Sequence, residues 1–159
     1  MKKYILLLTA IIISSSSFSQ MIKPSEVVDL ALSVSVAKST DGNEITLTVK
    51  LNIKKGWHLN ANQPLDENLI PTALKFDDSS NYTVQKITYP PAEIMKIEQL
   101  SQDDMALYID QATITVVLKM NKTFKKDSVI ISGKVKYQPC NDQMCLFPAE
   151  KPFEVKVKL

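Results

Sequence analysis

Apolar and polar residues alternate with a period of two along much of the chain, a pattern typical of strands that bury one face. Every second residue is apolar from Leu30 to Val36 and again from Ile45 to Ile53, with small or polar residues between them. The same period marks residues 112–120, 129–137 and 153–159. We therefore predict strands over all five segments.

Prolines and unpatterned stretches separate these strands. A short edge strand is predicted over residues 72–76, and another strand over residues 82–89 is ended by Pro90-Pro91. We expect residues 57–69 to be irregular and residues 93–110 to loop across one end of the domain. Seven or eight strands with little helix predict an all-β fold, an immunoglobulin-like antiparallel β-sandwich.

The first nineteen residues have the pattern of a secretory signal peptide. Lys2 and Lys3 precede an apolar run over residues 4–13, and Ser17-Phe18-Ser19 provides small residues for cleavage near Ser19. The apolar run is too short to span a bilayer. We therefore expect residues 20–159 to form one domain that is exported into an oxidising compartment, in which a disulfide persists.

The composition argues against nucleic-acid binding and against insertion into a membrane. Removing residues 1–19 takes away two lysines and no acids, so 19 − 2 = 17 basic residues balance 17 acidic ones and the net charge is zero. The chain has no arginine, and nothing in it suggests a basic stripe that would bind nucleic acid. No later apolar run approaches the ~20 residues of a membrane helix, so we expect no membrane insertion of the mature chain.

The only two cysteines, Cys140 and Cys145, enclose four residues near the end of the last predicted hairpin. A loop this short should stabilise the fold by less than the ~3 kcal/mol expected for a 15-residue loop. The pair is therefore either a structural staple or a working thiol–disulfide couple. Its spacing is not C-x-x-C, and Asp142 between the cysteines would oppose thiolate formation. A redox pair here would be a passive carrier that reacts when a partner's thiolate attacks it.

Other side chains allow further interpretations. His58, the only histidine, is either a hydrogen-bonded structural residue or a proton shuttle beside the pair. Trp57 is expected to anchor the core or its rim. Met144, together with Cys140 and His58, could suggest Cu(I), but a blue-copper site needs two histidines. We expect no metal and no cofactor. Adjacent acids at 66–67, 77–78 and 103–104 are interpreted as solvated loops.

The cysteines belong to a longer block with a distinctive order. It runs Tyr137-Gln138-Pro139-Cys140-Asn141-Asp142, followed by Cys145 and Pro148. Upstream, a predicted strand ends in Gly56-Trp57-His58, and Tyr108-Ile109-Asp110 precedes another. In this order the motifs resemble the N-terminal periplasmic domain of DsbD, the transmembrane thiol–disulfide interchange protein, over about residues 27–159.

The resemblance implies an immunoglobulin-like domain that carries reducing equivalents from a membrane-embedded thiol donor to exported thioredoxin-fold proteins, such as disulfide isomerases and cytochrome c maturation factors. It implies that Cys145 links to the partner and that Cys140 resolves the mixed disulfide. It also implies a cap loop over the pair, matched in position by residues 93–108. The side chains expected to support the site are Tyr137, Gln138, Asp142, Pro148, Trp57, His58 and Tyr108, and Met105 or Leu107 could also provide the cap side chain.

Two differences from the family pattern shape the expectation. The cysteines are one residue closer than in the best-known members, and residues 20–159 hold this domain alone. We therefore expect a standalone interchange module whose electron donor is another chain. The alternative is a non-catalytic exported binding module that docks a partner through an edge strand or the Trp57 loop, with the Cys140–Cys145 disulfide as a staple.

Overall fold

The protein is built almost entirely from β-strands in a computed structural model that describes residues 22–37 and 43–159. The proposed signal peptide lies outside these residues. No helix among them is long and apolar enough to cross a membrane. The described ranges contain a short 3-10 helix at Pro24–Glu26 and the strands β1 (Val28–Ala37), β2 (Glu44–Ile53), β3 (His58–Asn60), β4 (Ala73–Phe76), β5 (Tyr82–Thr88), β6 (Glu93–Met95), β7 (Met105–Ile109), β8 (Gln111–Met120), β9 (Ser128–Tyr137), β10 (Pro139–Cys140) and β11 (Ala149–Lys158).

Two sheets form the sandwich. One has the order β1-β2-β8-β5 and the other β11-β9-β4, and all their pairings are antiparallel. Their long strands bury alternate residues: Ile45, Leu47, Val49 and Leu51 of β2 are fully buried, and the residues between them are more exposed. The prediction of an all-β, immunoglobulin-like antiparallel sandwich is confirmed, and β4 lies at a sheet edge as predicted.

The third sheet has the order β10-β3-β7-β6 and is built from continuations of sandwich strands. β3 follows β2 after the turn at Gly56, β7 passes into β8 through Asp110, and β10 follows β9 after Gln138. Gly56 and Asp110 have φ values of 80° and 55°, in the left-handed region that glycine enters freely and aspartate more readily than most residues. These bends turn three strands out of the sandwich into a small sheet at one end.

Each face of the third sheet packs against a different core. Leu59 of β3 and Tyr108 of β7 lie opposite each other and belong to the main core between the sandwich sheets. Residues on the other face, such as Leu107, belong to a second, smaller core beneath the connection over residues 96–104. The members of this second core are Ile97, Met105 and Leu107, with Leu69, Met95, Leu100 and Ile109 packed against them.

The structure corrects two expectations from the sequence. Residues 57–69 were expected to be irregular but contain β3, and residues 93–110 were expected to be a loop but form the β6–β7 hairpin. All three residues of β3 are buried, as are four of the five residues of β7. A strand buried on both faces has no polar alternation, and so the period-two pattern missed β3 and β7.

We predict that Gly133→Ala destabilises the domain by about 1–3 kcal/mol, as overpacking typically does. Gly133 lies in β9 opposite Phe76 on one side and Phe153 on the other, and the two rings meet edge to face with centroids 5.7 Å apart. An added Cβ would collide with the carbonyl oxygen of Lys75 and lie 2.9 Å from Cζ of Phe153. Urea denaturation measures the free energy of unfolding.

Ser132→Ala is the matched control, because Ser132 is the preceding residue of β9, only partly buried, and its side chain points to the opposite face. We expect its stability to stay within ~0.5 kcal/mol of the parent. Equal unfolding midpoints for the two variants would contradict the proposed close packing at Gly133.

Candidate functional site

Cys140 and Cys145 are joined by a disulfide in the connection between β9 and β11. The two residues face each other as an antiparallel bridge, with Cα atoms 4.0 Å apart. Since β9 pairs with β11 from Tyr137 and Ala149 onward, the disulfide lies at the mouth of this hairpin, as the sequence predicted.

The short loop between the cysteines has hydrogen bonds of its own. The side-chain oxygen of Asn141 accepts hydrogen bonds from the backbone N–H groups of Gln143 and Met144, both at 2.9 Å. The Asn141 N–H donates to the Met144 carbonyl at 2.9 Å. Asparagine favours such turns because its short side chain reaches the backbone two or three residues further on. The loop geometry therefore does not depend on the disulfide alone.

The arms of the loop are also tied together outside the disulfide. The N–H of Leu146 donates to the Pro139 carbonyl at 2.8 Å, and the side-chain amide of Gln138 donates to the Leu146 carbonyl at 3.0 Å. Gln138, a predicted site residue, therefore holds the arm that carries Cys145 against the arm that carries Cys140. Pro148 is exposed and immediately precedes β11.

The two sulfur-bearing residues differ sharply in exposure. Cys140 is fully buried in β10, whereas Cys145 is exposed. A sulfur is attacked only where another thiolate can reach it, so access favours attack at Cys145. This difference arises because Cys140 pairs with the interior strand β3 while Cys145 lies outside the named strands.

His58 is placed beside Cys140 by strand pairing. In the β10–β3 ladder His58 is directly opposite Cys140, and in the β3–β7 ladder it is directly opposite Ile109. Directly opposed residues project from the same face of a sheet. His58, Cys140 and Ile109 therefore share the face that carries the second core.

Burial governs the chemistry of His58. The residue is 4% exposed, and its Nε2 has no hydrogen-bond partner among the described residues. Burial lowers the pKa of the imidazole below its usual value, and the negative charge of Asp142 acts in the opposite direction. Among the described residues, the interpretation of His58 as a hydrogen-bonded structural residue finds no partner at Nε2.

A cavity of about 450 Å³ opens beside His58. We call it the histidine cavity. Trp57 lies next to it and is buried in the main core, in agreement with its predicted anchoring role. The lining also includes charged groups from two connections: Asp142 from the cysteine loop, and Lys96 and Glu98 from residues 96–104.

Cys145 borders two further depressions of unlike character. The acidic cleft, of about 530 Å³, carries the carboxylates of Asp66, Glu67, Asp103 and Asp104 together with Leu69 and Leu100. The apolar groove, of about 510 Å³, is lined by Ile22, Lys23, Pro24, Gln138, Leu146 and Phe147. Phe147 is 86% exposed, which is unusual for a large apolar side chain and was missed from the sequence.

The stretch over residues 93–108, which the resemblance matches to a cap, contributes residues 100–101 and 103–105 to the acidic cleft that Cys145 borders. Leu100 lines the acidic cleft beside Cys145 and packs on the second core. Met105 lines the cleft too, but its side chain is buried. Leu107 and Tyr108, also considered for the cap, do not line the cleft. Leu100 was missed because this stretch has no clear pattern.

Two predicted supporting residues have buried side chains whose hydroxyl groups hydrogen-bond within the scaffold. Tyr108 is on the main-core face of the third sheet, where its hydroxyl donates to Oδ1 of Asn62 at 2.6 Å. Tyr137 is fully buried, its hydroxyl lies 3.4 Å from the Pro24 carbonyl oxygen, and burial raises its phenol pKa. Both tyrosines therefore have a structural role, since their rings pack in the main core. The structure thus brings His58, Asp142 and Gln138 next to the pair through strand pairing and the cysteine loop, whereas Trp57 lines the histidine cavity and packs in the main core.

Solved structures of other proteins share this fold. The reduced N-terminal domain of DsbD from Neisseria meningitidis is similar with a TM-score of 0.53 and 14% identity, covering 87% of this chain and 91% of that one. The N-terminal periplasmic domain of ScsB from Proteus mirabilis also has a TM-score of 0.53, at 13% identity. That match covers 87% of this chain and 49% of the ScsB chain.

No curated protein is close enough in sequence to match. The family profile for the N-terminal part of the thiol:disulfide interchange protein DsbD, however, matches residues 25–157. This range includes the sandwich, the third sheet and both cysteines. The resemblance inferred from the cysteine block is therefore confirmed, and the protein belongs to the DsbD N-terminal domain family.

Proposed function

We propose that the domain is a periplasmic thiol–disulfide interchange module that carries reducing equivalents between a membrane-embedded thiol donor and exported thioredoxin-fold proteins. The observation that carries the proposal is the unequal exposure of a bonded cysteine pair: Cys145 is exposed and Cys140 is buried. Family membership supports the reaction type. Residues 1–19 would act as the signal peptide that exports the domain.

Loading begins when a donor thiolate attacks Sγ of Cys145. The Cys140–Cys145 bond breaks, a mixed disulfide forms at Cys145, and Cys140 leaves as a thiolate that takes up a proton. The donor's second thiolate then attacks its own linked sulfur and releases Cys145. Two electrons and two protons have moved to the domain, and the donor has become a disulfide. Delivery runs through the same steps in reverse, with the recipient's disulfide reduced.

The surroundings of Cys145 suit exchange with a protein. The apolar groove and the acidic cleft both reach this residue, so a docking surface and the reactive sulfur coincide. Phe147, two residues beyond Cys145, offers an exposed apolar contact at the groove. A buried staple in a binding module would need neither an exposed cysteine nor such a surface around it.

We expect reduced Cys140→Ser to form a stable mixed disulfide through Cys145 with a thioredoxin-fold protein whose second active-site cysteine is replaced by serine and whose first is activated as an aromatic mixed disulfide. Neither protein then keeps a thiol that could resolve the bond. Nonreducing electrophoresis and mass spectrometry would detect it. Cys145→Ser is the matched control: its only thiol is buried, and we expect at least about tenfold less adduct. Equal trapping by both variants, or by neither, would contradict the assigned roles.

The reduction potential separates an exchanging pair from a staple. We expect equilibration in glutathione or dithiothreitol buffers to give a potential above about −300 mV, the region of exchangeable disulfides. Alkylation followed by mass spectrometry counts the reduced fraction. A potential below that value would favour the alternative, an exported binding module with a structural disulfide.

Reduction should also leave the domain folded. The bond closes a loop of only four enclosed residues, and the Asn141 hydrogen bonds in that loop do not involve the sulfurs. We therefore expect the free energy of unfolding to fall by less than ~3 kcal/mol on reduction. Urea denaturation of the oxidised and reduced forms measures the difference. Loss of the folded state on reduction would mark the disulfide as a staple.

A further inference from the structure

The resolving step of the proposed exchange meets a physical difficulty at Cys140. Only a thiolate attacks a disulfide, and a cysteine in a buried, apolar setting has a raised pKa. Cys140 is fully buried, and no lysine stands opposite it in the strand ladder. For Cys140 to displace a partner from Cys145, a nearby group must take its proton.

His58 is placed to do so. It is directly opposite Cys140 across the β3–β10 ladder, and opposed residues of an antiparallel pair have Cβ atoms about 4.5–5.5 Å apart on the same face. The ring is 4% exposed, and Nε2 has no hydrogen-bond partner within the part of the chain that the structure describes. Buried side-chain polar atoms nearly always have a partner, so an open nitrogen beside a reactive pair calls for an explanation.

We infer that His58 is the proton acceptor for the Cys140 thiol in the resolving step. This inference rests on the proposed function. With a recipient linked to Cys145, Nε2 takes the proton of Cys140. The Cys140 thiolate then attacks Sγ of Cys145, the Cys140–Cys145 bond forms, and the recipient's thiolate leaves. The leaving thiolate takes up a proton from solvent, and the imidazolium returns its proton to solvent.

The charges around His58 fit a base of this kind. Burial lowers the imidazole pKa, so the ring is neutral near neutral pH and is able to accept a proton. The carboxylate of Asp142 favours the charged ring once it forms. Lys96 and Glu98 face the same histidine cavity from residues 96–104, and β7 contributes only Ile109. The cavity gives the proton a path to water.

Stopped-flow reaction of the reduced full-length mature domain with an equimolar aromatic disulfide tests the inference. Attack by Cys145 releases a first coloured thiolate, and resolution by Cys140 releases a second. In His58→Gln we expect an unchanged first phase and a second phase at least about tenfold slower at neutral pH. Loss of a general base typically slows a reaction by ~10²-fold or more. The parent's second phase should slow as pH falls through the His58 titration, and the variant should lose that inflection.

Asn60→Ser is the matched control, since Asn60 is the next residue along the same face of β3 but lies opposite Leu107. We expect its second phase to match the parent. Equal second phases and pH profiles for His58→Gln and the parent would overturn the role of His58. A parent that releases no second thiolate would instead overturn the proposed exchange itself, so the two failures are distinguishable.

A measurement on the unmodified protein covers the case in which His58→Gln does not fold. As the only histidine, His58 gives a single Cε1–H resonance in a tag-free protein. In the reduced domain we expect this resonance to shift a second time at the pH where Cys140 ionises. The oxidised domain and reduced Cys140→Ser should lack that second step. Identical titration curves in all three forms would overturn the inference.

Discussion

The pairing of β3 between β10 and β7 is the interaction on which the site depends. This three-residue strand is buried throughout, and its ladder positions determine what stands next to each sulfur. It places His58 against Cys140, directs Leu59 into the main core, and leaves Cys145 outside on the other arm of the loop. A slip of one residue would exchange the two faces and move the histidine away from the disulfide. The sandwich therefore acts as the rigid support that keeps this register.

The long strands were predictable from the sequence because each has one face in the core. In β2, for example, the apolar residues from Ile45 to Ile53 alternate with polar ones. The four strands of the third sheet were not recognised, although that sheet carries the site. β3 and β7 are buried on both faces, and β6 and β10 have only three and two residues, too few for a period to appear. The pattern thus predicted the scaffold, and the cysteine block predicted what it carries.

Individual site residues were predictable to different degrees. Cys140, Cys145 and Gln138 could be assigned from the spacing and from the resemblance, and the structure places them together. The neighbourhood of His58 depends on cross-strand pairing between residues more than eighty positions apart, and local sequence does not contain that information. Phe147 and Leu100 were missed for a related reason, since exposure and loop packing follow from the assembled fold. Tyr108 was assigned to the predicted site because of its motif, but its side chain faces the main core.

The two unlike depressions that border Cys145 have a consequence for encounters with other proteins. In the acidic cleft four carboxylates attract cations, an interaction that dissolved salt weakens. At the apolar groove, which Phe147 lines, a partner that binds removes apolar surface from water. Salt does not screen this interaction. An approaching molecule therefore meets acidic surface at one depression and apolar surface at the other. A partner satisfies both depressions when it places cationic surface over the carboxylates and apolar surface over the groove, so the surroundings of Cys145 favour some orientations of the partner before any bond is exchanged.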